Sequence, residues 1–160
     1  MAVEIERKFL VSNESWRDGA SVGQRLRQAY IASSPACSVR LRVMGETHAK
    51  LTIKSGFRGL ARDEFEYDIP VADAVAMFEL RRHEIIIDKT RYRVEFDGLT
   101  WEVDVFSSHN DGLIVAEIEL TDEAQAVSHP PWIGAEVTYD LRYQNSQLAI
   151  APYTSWNSAE

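Results

Sequence analysis

Eight times along this 160-residue chain, a run of β-branched and aromatic residues carries polar, mostly charged, residues at every second position. The runs lie near residues 2 to 11, 24 to 32, 38 to 44, 48 to 55, 63 to 69, 85 to 96, 99 to 106 and 113 to 121. Side chains of a strand alternate between two faces, so each run reads as a strand with one apolar and one ionic face. A single such run is how any half-buried strand reads. Eight of them, joined by short polar connections, limit the chain to an architecture that tolerates a charged face on nearly every strand.

Short connections favour antiparallel neighbours, and closing the set on itself removes exposed sheet edges. The expected fold is therefore mainly β: a closed eight-stranded antiparallel barrel with peripheral helices, in one domain over 1–160. Asp97-Gly98 between two strand-like runs is a strong signal for a two-residue hairpin. It sets Phe96 opposite Leu99, Val94 opposite Trp101 and Tyr92 opposite Val103, with Arg93 opposite Glu102 and Arg91 opposite Asp104 on the other face. After Pro70, the spacing of Val71, Val75 and Phe78 predicts a helix over 71–82. Shorter helical pieces are expected after Ser12-Asn13, after Thr121-Asp122, and from Asn145 to Ala151.

The ionic faces are segregated by sign. Acids dominate the first, fifth, seventh and eighth runs, whereas bases dominate the third, fourth and much of the sixth. Period two cannot itself say which face lies inside a barrel. The helix near 71–82 needs an apolar outer wall to dock on, and segregated charge is unlike a randomly solvated exterior. Both favour an ionic interior, and the reverse arrangement stays open on pattern alone.

A formal net charge of -8 argues against a general nucleic-acid surface. No apolar run approaches a membrane span, and the charged N-terminal stretch is unlike a signal peptide, so a cytoplasmic location is expected. Cys37, the single cysteine, cannot form an internal disulfide, which fits a reducing compartment. Zinc-type spacing, a phosphate-binding G-x-x-x-x-G-K loop and a G-x-S-x-G elbow are all missing. His48, His83, His109 and His129 sit near expected turns or helix ends and are read as solvated.

Glu4-Ile5-Glu6-Arg7-Lys8 has the form E-x-E-x-K, and R-Q-A-Y-I, V-R-L-R-V, L-T-I-K-S, E-F-E-Y-D-I, I-D-K-T-R-Y, W-E-V-D-V-F, A-E-I-E-L and the tail E-V-T-Y-D-L-R-Y-Q-N-S-Q-L-A follow in order. Across almost its whole length the chain resembles the CYTH superfamily, the triphosphate tunnel metalloenzymes, and is most like bacterial short-chain tripolyphosphatases. The resemblance implies a barrel whose polar residues point inward to bind a triphosphate with Mg²⁺ or Mn²⁺, hydrolysing inorganic tripolyphosphate to pyrophosphate and phosphate. It implies catalytic roles for Glu4, Glu6, Lys8 and Lys89, and phosphate binding by Arg40, Arg42, Lys54 and Arg91. Metal binding falls to Glu4, Glu6, Glu64, Glu66, Asp104, Glu117 and Glu119.

Gln28, Tyr30, Lys50, Arg62, Arg93 and Glu102 have interior parity, and for them a structural salt-bridge role is the alternative. The tail from Tyr143 onward is expected to cap or plug one tunnel mouth. The expected partner is a small-molecule triphosphate, and a homodimer is compatible with the reading. The alternatives are a nucleoside or thiamine triphosphatase or a class IV adenylyl cyclase on the same fold, and a non-catalytic module that captures polyphosphate.

Overall fold

The computed structural model describes residues 1–81 and 84–156. Its strands are β1 (Ala2–Val11), β2 (Gln24–Ser33), β3 (Cys37–Met44), β4 (His48–Ser55), β5 (Ala61–Ile69), β6 (Ile87–Phe96), β7 (Leu99–Phe106) and β8 (Ile114–Glu119). They close antiparallel in the order β1-β5-β4-β3-β2-β6-β7-β8, with β8 returning to β1. A short ninth strand, β9 (Ile133–Glu136), pairs with the end of β1 at Phe9 and Val11. It was not expected from the sequence.

This order explains the segregation of charge. The acid-rich strands β7, β8, β1 and β5 are consecutive around the barrel, and the base-rich β4, β3 and β6 are consecutive apart from β2. The interior therefore has an acidic wall facing a basic one. The β6–β7 hairpin has the expected register throughout, from Phe96–Leu99 to Arg91–Asp104. Asp97 and Gly98 both adopt positive φ, 49° and 77°, which matches the right-handed twist of the flanking strands.

The apolar faces look outward and are covered over most of the wall, Val3 and Tyr67 staying exposed on β1 and β5. Helix α1 (Val71–Met77) continues as a tighter turn at Phe78–Leu80, so it ends short of the expected boundary, and Arg82 lies outside the described residues. Ala74 and Phe78 pack on Ala29, Leu41, Val43 and Ala49. On the opposite side Trp16, from a 3₁₀ turn over Glu14–Gly19 that Asn13 caps, joins Trp132 in covering Phe9, Val94, Trp101, Val103, Ala116 and Ile118. No helix follows Thr121-Asp122. A turn forms instead, in which the Ala124 amide donates to Asp122 Oδ1 (2.7 Å), and the chain runs on to seat Trp132.

A third apolar cluster is different in kind. Ile87, Phe106 and Val115 share the interior parity of Lys89, Asp104 and Glu117, and with Tyr30 and Leu113 they pack against Leu148 and Ala149. Leu148 belongs to helix α2 (Asn145–Leu148) and is fully buried. The tail thus fills one end of the barrel from inside. Cys37, His48, His109 and His129 are exposed, as expected, while His83 lies outside the described residues. Among the described residues no helix is long and apolar enough to cross a membrane.

Candidate functional site

The unfilled part of the barrel encloses a cavity of about 330 Å³. Glu4, Glu6, Lys8, Arg40, Arg42, Lys54, Glu64, Glu66, Lys89, Arg91, Glu117 and Glu119 all line it. Asp104 does not. It is completely buried behind two cations, accepting from Lys89 Nζ at 2.6 Å and from Arg91 Nε and Nη2 at 2.7 and 2.8 Å. With its oxygens so occupied, it anchors bases on the basic wall. Burial works against its charge, yet the Arg91 and Lys89 cations outweigh this and hold it down to about 2.

The basic wall has charge to spare. Among the described residues no acid forms an ion pair with Arg42, whose Nε donates instead to the amide oxygen of Gln28 (2.8 Å). Burial and the neighbouring cations Arg40 and Arg91 press on the charge of Arg42. A guanidinium stays charged under such pressure, so the site is short of anions. Arg40 is less bare: Glu66 pairs with its Nη2 at 3.9 Å, but its buried Nε has no hydrogen-bond partner among the described residues. Lys89 is pushed down to about 7, chiefly by burial and secondarily by Arg91 and Arg42 against the pull of Asp104.

The acidic wall has the opposite problem. Glu6 is pushed up to about 8 by burial and by the charges of Glu117 and Glu4. Glu117 is held well below the usual range in spite of burial, by Lys8, Arg91 and Lys89. Glu4 is likewise lowered, burial being outweighed by Lys54 (2.8 and 3.0 Å) and Arg62 Nε (2.9 Å). Glu119, opposite Glu6 in the ladder, is raised by partial burial and by Glu4, Glu64 and Glu102. Lys8 stands opposite Glu117 and donates to the backbone oxygen of Tyr143 at 3.1 Å.

The secondary candidates divide. Tyr30, Arg62 and Glu102 line the cavity. Lys50 instead bridges Glu66 and Asp68 (3.3 and 3.2 Å), and Arg93 is exposed at the rim, 3.8 Å from Glu102. Gln28 is completely buried beneath the wall. The tail, expected from Tyr143 onward to cap a mouth, lines the cavity with Gln144, Asn145 and Ser146; sequence reasoning missed Thr138, Tyr139 and Leu141 ahead of it, and Phe57, Gly59 and Leu60 join them from the β4–β5 loop. These loops have no periodicity, so only the stretch of tail polar residues after β9 could have suggested them.

A divalent cation fits this donor set in kind. Hard carboxylate oxygens crowd one wall, where the charges of Glu117 and Glu4 add to burial in holding Glu6 up. Among the described residues no three acids already converge on a single metal position.

A profile described as CYTH domain matches residues 2–151. Over 156 residues the chain is 44% identical to the inorganic triphosphatase of Acetivibrio thermocellus, covering 98% of this chain and 99% of that protein. It is 41% identical over 155 residues to the inorganic triphosphatase of Nitrosomonas europaea, covering 92% and 97% respectively. A solved crystal structure of an inorganic triphosphatase aligns with a TM-score of 0.67 at 38% identity, over 91% of this chain and 97% of that one.

Proposed function

The chain belongs to the CYTH domain family, and from that membership and the walls of its tunnel we propose that it hydrolyses inorganic tripolyphosphate to pyrophosphate and phosphate with Mg²⁺ or Mn²⁺. The relatives named as inorganic triphosphatases support the substrate. The observation that carries the reading is the mismatch between walls: Arg42 lacks an acid partner and Arg40 has an unpaired buried Nε on one side among the described residues, while Glu6, Glu117 and Glu119 crowd together on the other. A polyanion on the bases and a cation on the acids satisfy both.

Arg40, Arg42 and Arg91 present planar donors to phosphate oxygens, and Lys54 and Lys89 add compact charge. Asp104 keeps Lys89 and Arg91 in place. As water adds to the terminal phosphorus and the bridging P–O bond breaks, these cations stabilise the charge that collects on the departing pyrophosphate. Glu4, Glu6, Glu117 and Glu119 would hold the metal, with Glu64 and Glu66 further along the wall. Bound there, Mg²⁺ or Mn²⁺ supplies Lewis-acid polarisation of phosphate oxygens.

A second reading is favoured by the rim. Phe57, Tyr139 and Leu141 are exposed apolar residues lining the opening, a surface suited to an organic group carried on the triphosphate. Phosphate release from tripolyphosphate, ATP and thiamine triphosphate, each with Mg²⁺ and with Mn²⁺, separates the possibilities. Fastest turnover of tripolyphosphate is expected. Preference for an organic triphosphate would favour the second reading, and no turnover of any would leave a capture module.

A further inference from the structure

Gln28 points inward from β2 yet has no part in the chemistry above. Its amide is engaged at both ends. Nε2 donates to Asn145 Oδ1 at 3.0 Å, and Oε1 accepts from Arg42 Nε at 2.8 Å. The same Asn145 oxygen accepts from Lys89 Nζ at 2.9 Å. An unbroken line of hydrogen bonds thus runs from Lys89 on β6, through α2 and β2, to Arg42 on β3.

The polarity of this line is forced from its ends. Lysine and arginine offer donors only. Asn145 must therefore turn its oxygen toward Lys89. Gln28, meeting that same oxygen, must present its NH₂, which leaves its own oxygen for Arg42. Reversing the Gln28 amide would set oxygen against oxygen and nitrogen against nitrogen in a fully buried position. A carboxylate at residue 28 would grip Arg42 equally well but would cancel the charge that an anionic substrate needs. An amide oxygen fixes the guanidinium and leaves its charge available.

We infer that Gln28 and Asn145 are positioning residues for Arg42. By occupying Nε, Gln28 leaves the two terminal nitrogens of Arg42 for phosphate oxygens, and Asn145 makes the orientation of Gln28 depend on the C-terminal helix. The inference rests on the triphosphatase reading.

A double-mutant cycle tests it, with tripolyphosphate binding followed by calorimetry at fixed Mg²⁺ and kcat and KM measured in parallel. Gln28→Leu should weaken binding and raise KM about tenfold, the scale of one charge-assisted hydrogen bond, with a much smaller change in kcat. In an Arg42→Ala background the same substitution should alter binding less than twofold, since its target is gone. Gln28→Met serves in the cycle where leucine disturbs folding. An equal loss in both backgrounds would overturn the positioning role and leave Gln28 as packing alone. Wild type that binds no tripolyphosphate would overturn the triphosphatase reading and this inference with it.

Discussion

Glu6 and Glu117 lie diagonally across the β1–β8 ladder and both face the cavity, Glu6 directly opposite Glu119 and Glu117 directly opposite Lys8. Burial, with the charges of Glu117 and Glu4 added, pushes Glu6 up to about 8, while Glu117 is held well below the usual range. These opposed shifts make the acidic wall sensitive to pH and to metal.

In the chelated protein, folded Glu6 keeps its proton until about pH 8, whereas the unfolded chain releases it near the ordinary value of 4.5. Between these values the native state binds the extra proton, so this group's contribution to stability falls as pH rises. Glu6→Gln removes the fall. The variant's advantage in thermal melts should grow from pH 5 to pH 8, to on the order of 1 to 3 kcal/mol, each pKa unit being about 1.4 kcal/mol. An advantage constant over that window would show that Glu6 ionises normally.

Mn²⁺ should raise the melting temperature of the wild type, by an amount that corresponds to about 2.7 kcal/mol at a hundredfold excess over Kd. Glu117→Gln should lose most of this gain and most turnover. Identical metal-induced shifts in the two proteins would place the metal away from the acidic wall.

Arg42→Ala and Arg91→Ala should both raise KM for tripolyphosphate, yet differ in stability. Arg91 neutralises the buried Asp104, so its loss should cost about 3 kcal/mol or more in denaturant melts. Arg42 is paired with no acid among the described residues, so its removal should cost less, on the order of 1 kcal/mol, for the buried Gln28 oxygen left without its donor. Equal destabilisation by the two would contradict the division of the basic wall into anchored and free cations.

Leu148→Ala should destabilise the protein by about 2 to 4 kcal/mol, the usual result of emptying a buried leucine site. If α2 is the end wall of the tunnel, the variant should also show altered discrimination among tripolyphosphate, ATP and thiamine triphosphate. Unchanged stability and unchanged discrimination together would mean that the helix only rests on the barrel.

Much of this architecture could be read in advance because strand chemistry repeats with a fixed period. Asp97-Gly98 determines a register, and from it the Arg91–Asp104 and Arg93–Glu102 pairings follow without further information. Depth along the tunnel is not periodic. Parity places Asp104 on the same face as Glu102, but the ladder position beside the apolar plug is what seals it behind Lys89 and Arg91. Nor could Asn145 be found from spacing, since a four-residue helix has too short a period to reveal a face. The four residues of β9 follow Pro130 and Pro131, a sequence context that disguises a strand.

The apolar packing of α2 against Ile87, Phe106 and Val115 gives the barrel a closed floor. Among the described residues the tail shuts that end, and the charged cavity lies beyond it. A phosphate chain that reaches this floor meets apolar side chains, so a long polymer can offer its end to the basic wall but cannot be drawn on past the floor like thread.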